Sequence, residues 1–339
     1  IALEQRSKSH PYRFSFLLTV IMGTVLNLGS LSVIYTVAER CFSNYYHKKL
    51  MLVILRAFGF CMLWSPYFVN IGLVLVLFHV TWFDFALYGL LIASVYALVS
   101  ALLFPVSNFK NDRWVTRTKK TGIKTSANLY PLYLFGAILL FLSLIFDALS
   151  EVNMLTVVSL LGFFYPLIWA VLIRQFQPYI KEFVVYIKTS FQRLKNEIVI
   201  FVSAGFFGAA ISQTKIGSYI SAFIFHYSFD SILLMSYIVI FLSLILALIG
   251  IHPVVIFTGI GSALSPETFG VSGTFMALLF SVSWTLSTQL SPFSGSVLMA
   301  GSLTRQSPWE YSKQNCWFVL ILIIVLPLLL VSLHTIGAV

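Results

Sequence analysis

Long apolar runs alternate with short polar connections along most of the chain. A bilayer core about 30 Å thick is crossed by a helix of about 20 apolar residues, and several runs reach that length. The runs at 129–147 and 152–174 flank a short loop with Asp147 and Glu151 but no Lys or Arg, which predicts an antiparallel pair of spans. The pattern therefore predicts an all-α polytopic membrane protein.

Two of the apolar runs, 52–80 and 272–303, contain a Ser-Pro pair. Proline removes a backbone donor and clashes with the preceding turn, so we expect the helices to break near Pro66 and Pro292. In a membrane, the backbone groups that such a break exposes must face protein or a wet cavity. Each run is therefore expected to form a broken helix with polar groups at its centre.

The first apolar segment, from Phe14 to Glu39, has basic residues on both sides. These are Arg6, Lys8 and Arg13 before it and Arg40, Lys48 and Lys49 after it. Cytoplasmic loops carry the excess of Lys and Arg, so both ends favour the cytoplasm. A re-entrant hairpin with its tip at residues 27–30, where Gly29 loosens the backbone, satisfies both ends. One straight span that breaks the charge rule once is the alternative.

Two basic segments lie between apolar runs. The linker at 109–128 carries six Lys or Arg against one acid, Asp112, which predicts a cytoplasmic position. Segment 175–195 has apolar residues at helical spacing among basic ones and predicts an amphipathic arm helix on the inner membrane surface. The apolar run at 196–214 predicts a separate span after this arm.

Short motifs recur in the same order in the two halves of the chain. Residues 65–67 (Ser-Pro-Tyr) recur at 291–293 (Ser-Pro-Phe), so their numbering differs by 226. Residues 33–36 (Val-Ile-Tyr-Thr) recur at 255–258 (Val-Ile-Phe-Thr), where the numbering differs by 222. Two matches in one order at nearly one offset indicate an internal repeat.

The charges of corresponding loops indicate that the two halves are inverted. Loop 40–49 is basic, whereas its counterpart at 262–271 has only Glu267. The loop near Trp82 has no Lys or Arg, whereas its counterpart near Trp309 holds both. This switch predicts inverted-topology repeats, with a second hairpin at 232–265 that enters from outside and has its tip at 250–253.

The repeat divides the chain into a first repeat at 1–108, the basic cytoplasmic linker at 109–128 and a second repeat at 129–339. The spans predicted at 129–147, 152–174 and 196–214 have no first-repeat partners, because an offset of 222 places those before residue 1. We therefore expect about ninety further N-terminal residues, with about three helices, in the natural protein.

Composition agrees with a membrane environment, since 59% of residues are hydrophobic, 9% are charged and the mean hydropathy is +0.94. The net charge of +10 is spread over short loops, so it indicates membrane topology and not nucleic-acid binding. Cys41, Cys61 and Cys316 fit no metal-ligand or redox spacing. No His, Asp or Glu cluster supports acid–base or metal chemistry, so we expect no enzyme, no organic cofactor and no metal beyond Na⁺.

Polar residues gather at the two predicted breaks. Those at the second break are Thr285, Ser287, Thr288, Gln289, Ser291, Ser294, Gly295 and Ser296, and those at the first are Ser65, Tyr67 and Asn70. Half-helix N-termini favour anions and exposed carbonyls favour Na⁺, so the breaks are the expected substrate and ion site. Alternatively, the hydroxyls bond i−4 carbonyls or neighbouring helices and are structural.

Two ionisable residues can each have one of two roles. Arg56 either pairs with an anion or lies near the cytoplasmic end and extends to the lipid headgroups, the interpretation that we favour. His252, at the second predicted tip, either carries a proton or contacts an anion, or it satisfies a local backbone group.

Hairpins, broken helices, a surface arm helix and inverted repetition together resemble the ion transporter superfamily, which includes divalent anion/sodium symporters, arsenite permeases and sodium/proton antiporters. The resemblance implies secondary active transport of a small anionic solute, coupled to Na⁺ or H⁺, by an elevator-like alternating-access movement. It also implies a scaffold-mediated homodimer, and we expect a bacterial inner (plasma) membrane with its lipids as neighbours. The matching tip and break positions are Gly29, Ser30, Thr36, Ser65, Pro66, Asn70, His252, Pro253, Thr258, Ser291, Pro292, Ser294, Gly295 and Ser296.

The sequence departs from part of this family. The Ser-Asn-Thr signatures of dicarboxylate members are absent at both predicted tips, so a dicarboxylate is not implied. No carboxylate lies deep in a predicted span, which favours an anionic substrate and coupling to Na⁺ over a direct proton relay. The alternatives are a sodium/proton antiporter, a carrier or enzyme for a lipid-linked phosphate drawn to the basic inner face, a channel and a structural subunit.

Overall fold

The computed structural model describes residues 11–42, 44–107, 109, 112–116, 130–149, 152 and 154–339. Within these residues the fold is all-helical, as predicted, with fourteen α-helices and one two-stranded sheet. The helices are α1 (Pro11–Leu26), α2 (Gly29–Cys41), α3 (His47–Cys61), α4 (Val69–Leu77), α5 (Trp82–Leu103), α6 (Tyr130–Leu149), α7 (Met154–Leu172), α8 (Phe176–Gln213), α9 (Lys215–Ser228), α10 (Ile232–Leu248), α11 (Pro253–Ala263), α12 (Gly273–Leu290), α13 (Gly295–Thr304) and α14 (Pro308–Thr335). The strands are β1 (Asn44–Tyr46) and β2 (Trp114–Thr116), and a 3₁₀ helix (Pro266–Phe269) precedes α12.

Two of the described helices, α5 with 22 residues and α14 with 28 residues, are long and apolar enough to cross a membrane. Both expose large apolar side chains on one face, including Leu87 (70% exposed) on α5 and Trp317 (74% exposed) on α14. The opposite face of α5 is buried against α3, α12 and α14, and that of α14 is buried against α5, α10, α12 and α13. The fold is therefore compatible with a helical membrane protein.

Both predicted helix interruptions are present. The chain leaves helical structure after Cys61 and resumes at Val69, and it does so again between Leu290 and Gly295. We call residues 62–68 the first break and residues 291–294 the second break. Each contains its proline, whose ring is incompatible with the carbonyl four residues earlier in a continuous helix.

Two helical hairpins accompany the two breaks. Helices α1 and α2 turn back on each other at residues 27–28, where Asn27 has a positive φ of 48°. Helices α10 and α11 turn back at residues 249–252, where Gly250 has a φ of 93° that an L side chain rarely adopts. We call these turns the first tip and the second tip. Both lie where the sequence predicted them.

The first hairpin brings its two outer ends to one end of the bundle. The Tyr12 hydroxyl, in α1, accepts a hydrogen bond from Tyr46 N at 2.9 Å, just before α3. The Phe14 ring, also in α1, packs edge-on against Phe42 after α2, with ring centroids 5.7 Å apart. A single straight span across residues 14–39 would separate these side chains by the length of the helix, so the structure differs from that alternative.

Contacts between helix termini define two ends of the bundle. At the first, which we call the basic end, Lys48 Nζ at the start of α3 pairs with Glu310 Oε2 at the start of α14, at 2.8 Å. At the other, which we call the opposite end, a Cβ added to Gly273 at the start of α12 would lie 2.7 Å from the carbonyl oxygen of Phe78 after α4. The Phe275 ring there lies 5.5 Å from that of His334 near the end of α14. Helices α3 and α12 therefore run in opposite directions.

The segment predicted as an arm helix followed by a separate span is one continuous helix, α8, of 38 residues. The predicted division near residue 195 is wrong because Lys195, Asn196 and Glu197 are compatible with a helix and no Pro or Gly separates the two parts. At 1.5 Å per residue, α8 is about 57 Å long, nearly twice the thickness of a bilayer core. Its first half exposes Val185 and Tyr186, and its second half packs on α11.

Most of the predicted cytoplasmic linker lies outside the described residues, as do Glu151, Arg6 and Lys8. Of the described part, 109 and 112–116, residues 114–116 form β2, which pairs antiparallel with β1. The Asp112 carboxylate accepts hydrogen bonds from the backbone N–H groups of Lys48 and Lys49, at 2.8 and 3.1 Å. It therefore supplies an acceptor and a negative charge to the N-terminus of α3.

Candidate functional site

The first break is held closed by hydrogen bonds from its own polar side chains. The buried Ser65 hydroxyl donates to Thr24 O in α1 at 2.7 Å and accepts from Tyr67 N at 3.4 Å. Asn70 Nδ2 donates at 2.7 Å to Met62 O, the carbonyl four residues before Pro66. Ser65 therefore joins the break to the first hairpin. Asn70, together with the Ser281 hydroxyl at 3.4 Å, satisfies the carbonyl that proline would leave unpaired.

The second break repeats these interactions with other residues. The buried Ser291 hydroxyl donates to Ala247 O in α10 at 2.7 Å and accepts from Phe293 N at 3.2 Å. The Ser294 hydroxyl donates at 2.7 Å to Thr288 O, the carbonyl four residues before Pro292. Each break is thus attached to one hairpin by a serine hydroxyl.

The hairpin tips lie against the breaks. Asn27 Nδ2 in the first tip donates to Tyr67 O in the first break at 3.2 Å. Its neighbour Leu28 faces the second break, since a Cβ added to Gly295 would lie 3.8 Å from Leu28 Cδ2. In the second tip, a Cβ added to Gly250 would lie 3.6 Å from the Phe293 ring. The first tip therefore contacts the first break and the start of α13, and the second tip contacts the second break.

The helix termini at the breaks differ in how well their polar groups are paired. Carbonyls at the ends of α3 and α12 accept side-chain hydrogen bonds, as Met62 O, Thr288 O and Gln289 O do. The N-caps of α4 and α13, Phe68 and Ser294, make no side-chain capping bond to those helices. Unpaired N–H groups and the helix dipole favour an anion. The breaks therefore offer donors more readily than carbonyl acceptors.

Four buried hydroxyls near these elements have no hydrogen-bond partner among the described residues: those of Ser30, Thr285, Ser287 and Ser296. Two of them lie at the start of a helix that follows a tip or a break. Ser296, at the second position of α13, is 2% exposed, and Ser30, at the second position of α2, is fully buried. A buried hydroxyl without a partner is costly, so both are available to a ligand or to another conformation. They were among the residues predicted for the site.

Other predicted site residues do not join the breaks. Thr36 is exposed on α2 and bonds Ser32 O at 2.8 Å, and Thr258 bonds Val254 O at 2.7 Å and packs beside Gly208 of α8. These are the structural i−4 bonds of the alternative interpretation. His252 is exposed and its Nδ1 accepts from Val254 N at 3.3 Å, so it caps α11.

The remaining predicted site residues are prolines and glycines that act through the backbone. Pro66 and Pro292 are buried within the two breaks, and Pro253 occupies the first turn of α11, where a missing N–H is tolerated. Gly29 is the first residue of α2, and no atom lies within 4 Å of a Cβ added there. Gly295 is the first residue of α13 and lies next to the first tip.

A buried polar network begins at the second break. Gln289 Nε2 donates to Leu55 O of α3 at 2.9 Å, and Asn315 Nδ2 donates to both Gln289 O and Gln289 Oε1 at 3.1 Å. Asn315 Oδ1 in turn accepts from Arg56 Nε at 3.0 Å. Arg56 is 1% exposed, so the prediction that it extends to the headgroups is wrong.

The sequence reasoning missed Asn315 of α14, which is fully buried. In the sequence it directly follows the polar residues Ser312, Lys313 and Gln314, so nothing there distinguishes it from an interfacial side chain. The same reasoning missed Tyr96 of α5, whose hydroxyl is fully buried and has no partner among the described residues. Nothing in the sequence distinguishes Tyr96 from the other fifteen tyrosines.

Two cavities formed by the described residues lie away from the breaks. One of about 400 Å³ is lined by Phe135, Trp169 and Tyr179 of α6, α7 and α8. Another of about 390 Å³ lies at the opposite end, beside His79 and Glu267. The Ser265 hydroxyl donates to the Glu267 carboxylate there and lowers the pKa of that carboxyl. Among the described residues, no group of three His, Cys, Asp or Glu side chains is placed to hold a metal ion.

No family model matches the chain, and no curated protein matches it significantly. The resemblance to the ion transporter superfamily therefore stays a prediction. An assignment of function rests on the geometry of the two breaks and the two tips.

Proposed function

We propose that the protein is a secondary active transporter that carries a small anionic solute across a membrane by alternating access. The observation that carries this proposal is the meeting of two broken, antiparallel helices with two helical hairpin tips. Irregular backbone of this kind is tolerated at membrane depth only where protein or a wet cavity surrounds it. Discontinuous helices at the interface of inverted repeats form the substrate sites of many secondary transporters.

The apolar surface supports the membrane part of the proposal. Beyond α5 and α14, large apolar side chains are exposed on α6, α7 and α8, including Phe141 (64%), Phe164 (52%) and Phe206 (78%). Soluble monomers rarely expose contiguous apolar surface of more than a few hundred Å². A lipid environment removes the cost of this exposure.

Matching element boundaries support an inverted repeat. Helices α3, α4 and α5 begin at residues 47, 69 and 82, and α12, α13 and α14 begin at residues 273, 295 and 308, which gives one common offset. It equals the offset between the two Ser-Pro motifs. Helices α1 and α2 end at residues 26 and 41, and α10 and α11 end at residues 248 and 263. Both pairs differ by 222, which is the offset between the motifs at 33–36 and 255–258.

Two further observations agree with this pairing. The bonds from Ser65 to Thr24 O and from Ser291 to Ala247 O correspond under it to within one residue, and each attaches a break to the first helix of its own hairpin. The antiparallel directions of α3 and α12 agree with inversion. Both hairpins are then re-entrant, one from each side of the membrane.

The pairing of polar groups supports an anion as the solute. The carbonyls at the ends of α3 and α12 are engaged by Asn70, Ser294 and Asn315, whereas the N-termini of α4 and α13 lack side-chain caps. Half-helix N-termini carry partial positive charge that attracts an anion. Coupling to Na⁺ or H⁺, and membership of the ion transporter superfamily, belong to the same proposal.

The serine side chains of the breaks are buried, so access to them depends on movement of the hairpin tips. Ser65, Ser291 and Ser294 are each 3% exposed or less, so a solute reaches them only when a tip moves. The first tip is attached to the first break by the bond from Asn27 to Tyr67 O. Opening one tip at a time would expose the site to alternate sides of the membrane, as alternating access requires.

The proposal is tested by the thermal stability of the purified full-length protein with small carboxylates, inorganic oxyanions and polyprenyl phosphates, each with Na⁺ or choline. A ligand at one hundred times its Kd stabilises the folded state by about 2.7 kcal/mol and raises the unfolding midpoint. We expect a small anion to give such a shift and Ser65→Ala and Ser291→Ala to reduce it. Uptake of that anion into proteoliposomes then establishes transport.

Ser243→Ala is the matched control, because Ser243 is also fully buried and bonds a carbonyl, Val239 O at 2.8 Å, but lies within α10 away from the breaks. Its ligand shift is expected to equal that of the wild type. A shift from polyprenyl phosphates alone, insensitive to the two break variants, would contradict the proposal and favour a lipid-phosphate carrier.

A further inference from the structure

Arg56 carries a buried charge that no carboxylate balances in the described part of the chain. Besides the bond to Asn315, its Nη2 donates to Ser107 Oγ at 3.3 Å and to Gln314 O at 3.4 Å. The guanidinium carbon lies 4.4 Å from the centroid of the Phe318 ring. The ion pairs among the described residues, at Lys48 and His47, do not include Arg56. All its partners are therefore neutral.

A buried cation without a counter-charge destabilises the folded state. Where the role of a buried charged group is purely structural, neutral residues of similar volume often give equal or higher stability. Ionisable residues within membrane segments usually mark pathways or sites for this reason. An anion next to Arg56 would supply the missing charge. The planar fork of the guanidinium also matches the geometry of carboxylates and oxyanions.

Two hydrogen-bond donors remain unused beside this charge. Arg56 Nη1 has no partner among the described residues, and neither has the Tyr96 hydroxyl. Both groups flank Phe318, because the Tyr96 ring packs edge-on against it at 5.0 Å and the guanidinium lies over its face. Phe318 therefore brings both unpaired donors into one buried cluster.

The same cluster is connected directly to the second break. Asn315 links Arg56 to Gln289, which lies two residues before Ser291 in the last turn of α12. Gly59 adjoins both the Tyr96 hydroxyl and Gln289 Nε2, so it leaves room for these groups to approach each other. Charge recognition at Arg56 and movement of the second break therefore involve one contiguous set of side chains.

We propose that Arg56 and Tyr96 bind the charged group of the transported solute, and that the solute is a small monoanion bearing a carboxylate or oxyanion group. This inference rests on the proposed transport function and specifies its substrate class. One uncompensated cation balances one negative charge, whereas the second charge of a dianion would remain unpaired in a low-dielectric interior. Gln289 and Asn315 are positioning residues that orient the guanidinium.

The test is isothermal titration calorimetry of the purified full-length protein with formate, acetate and nitrate as monoanions and with succinate and sulfate as dianions. We expect a monoanion to bind and the dianions to bind more weakly. Arg56→Gln should weaken monoanion binding by at least about a hundredfold, since it removes the charged partner. Arg56→Lys, which keeps the charge but loses the fork, should weaken binding less.

Tyr96→Phe separates ligand binding from folding. It deletes a hydroxyl that has no partner in the described part of the chain, so the unfolding midpoint should not fall. Monoanion affinity should nevertheless fall about tenfold through loss of a charge-assisted hydrogen bond. Tyr311→Phe is the matched control, because Tyr311 is equally buried but its hydroxyl donates to Thr304 Oγ1 at 2.8 Å. That variant should lose stability and keep its affinity.

Wild-type affinity in Arg56→Gln and Tyr96→Phe, or tighter binding of dianions than of monoanions, would overturn the inference. If Ser291→Ala abolishes anion binding while Arg56→Gln and Tyr96→Phe do not, the transport proposal stands and the role of Arg56 and Tyr96 is wrong. If no small anion binds the wild type, both proposals are contradicted.

Discussion

Gly59→Ala places a methyl group at a closed point where α3, α5 and α12 meet. The added Cβ would lie 2.2 Å from the Tyr96 hydroxyl oxygen, 2.9 Å from Tyr96 Cζ and 2.6 Å from Gln289 Nε2. Tyr96 and Gln289 are both fully buried, so neither side chain can move into solvent. At least one of the two must therefore leave its present position.

Three terms determine the size of this effect. Overpacking of a dense interior costs about 1–3 kcal/mol. Displacement of Gln289 also breaks its bond to Leu55 O, and a buried unpaired polar group costs about 1–3 kcal/mol. Replacing glycine by alanine within a helix contributes about 1 kcal/mol in the opposite direction. The steric and polar terms outweigh helix propensity, and we expect a net loss of about 2–4 kcal/mol.

The assay is the apparent unfolding midpoint of the purified protein, compared with that of Gly162→Ala. Gly162 lies inside α7 with no atom within 4 Å of an added Cβ, so that variant gains helix propensity without a clash. We expect the midpoint to fall in Gly59→Ala and to stay or rise in Gly162→Ala. Equal midpoints in the two variants would refute the packing of α5 and α12 around Gly59.

Further predictions concern individual contacts. Asn70→Leu removes the 2.7 Å hydrogen bond to Met62 O and leaves this carbonyl only the 3.4 Å bond from Ser281 Oγ, so stability in chemical unfolding should fall by about 1 kcal/mol. Unchanged stability would argue against this closure of the first break. Tyr67→Phe removes the 2.6 Å hydrogen bond with Ser143 of α6 and should lower the free energy of unfolding by about 1 kcal/mol. The double variant Tyr67→Phe, Ser143→Ala should lose little more stability than either single variant. If the two single losses add up in the double variant, the contact is disproved. Lys48→Met breaks the ion pair with Glu310, whose side chain is 42% exposed, so the free energy of unfolding should fall by less than about 1 kcal/mol. A larger fall would show that this pair is more shielded from solvent than its exposure indicates.

The positions of helix breaks and turns could be predicted because local chemistry determines them. Pro66 and Pro292 cannot continue a helix, and Gly250 permits the positive φ of the second tip. The charges on both sides of residues 14–39 predicted a chain that turns back. Each of these signals lies within a few residues of its effect.

Features that depend on distant residues could not be predicted. The burial of Arg56 follows from Asn315 and Ser107, which lie 259 and 51 positions away in the chain. The i−4 bonds of Thr36 and Thr258 depend on which helix faces are already covered. The single helix α8 was missed because a change in amphipathic pattern was interpreted as a change of element, although no residue there stops a helix.

The most direct test of the inverted-repeat transporter is the sidedness of four single cysteines in a variant with Cys41, Cys61 and Cys316 replaced by Ala. Arg113→Cys and Ser307→Cys mark the basic end, and Thr268→Cys and Thr335→Cys mark the opposite end; all four positions are exposed. In intact cells, a membrane-impermeant maleimide should label the two opposite-end cysteines, and the other two only after permeabilisation. Labelling of all four in intact cells, or of one cysteine from each end, would contradict the proposed topology.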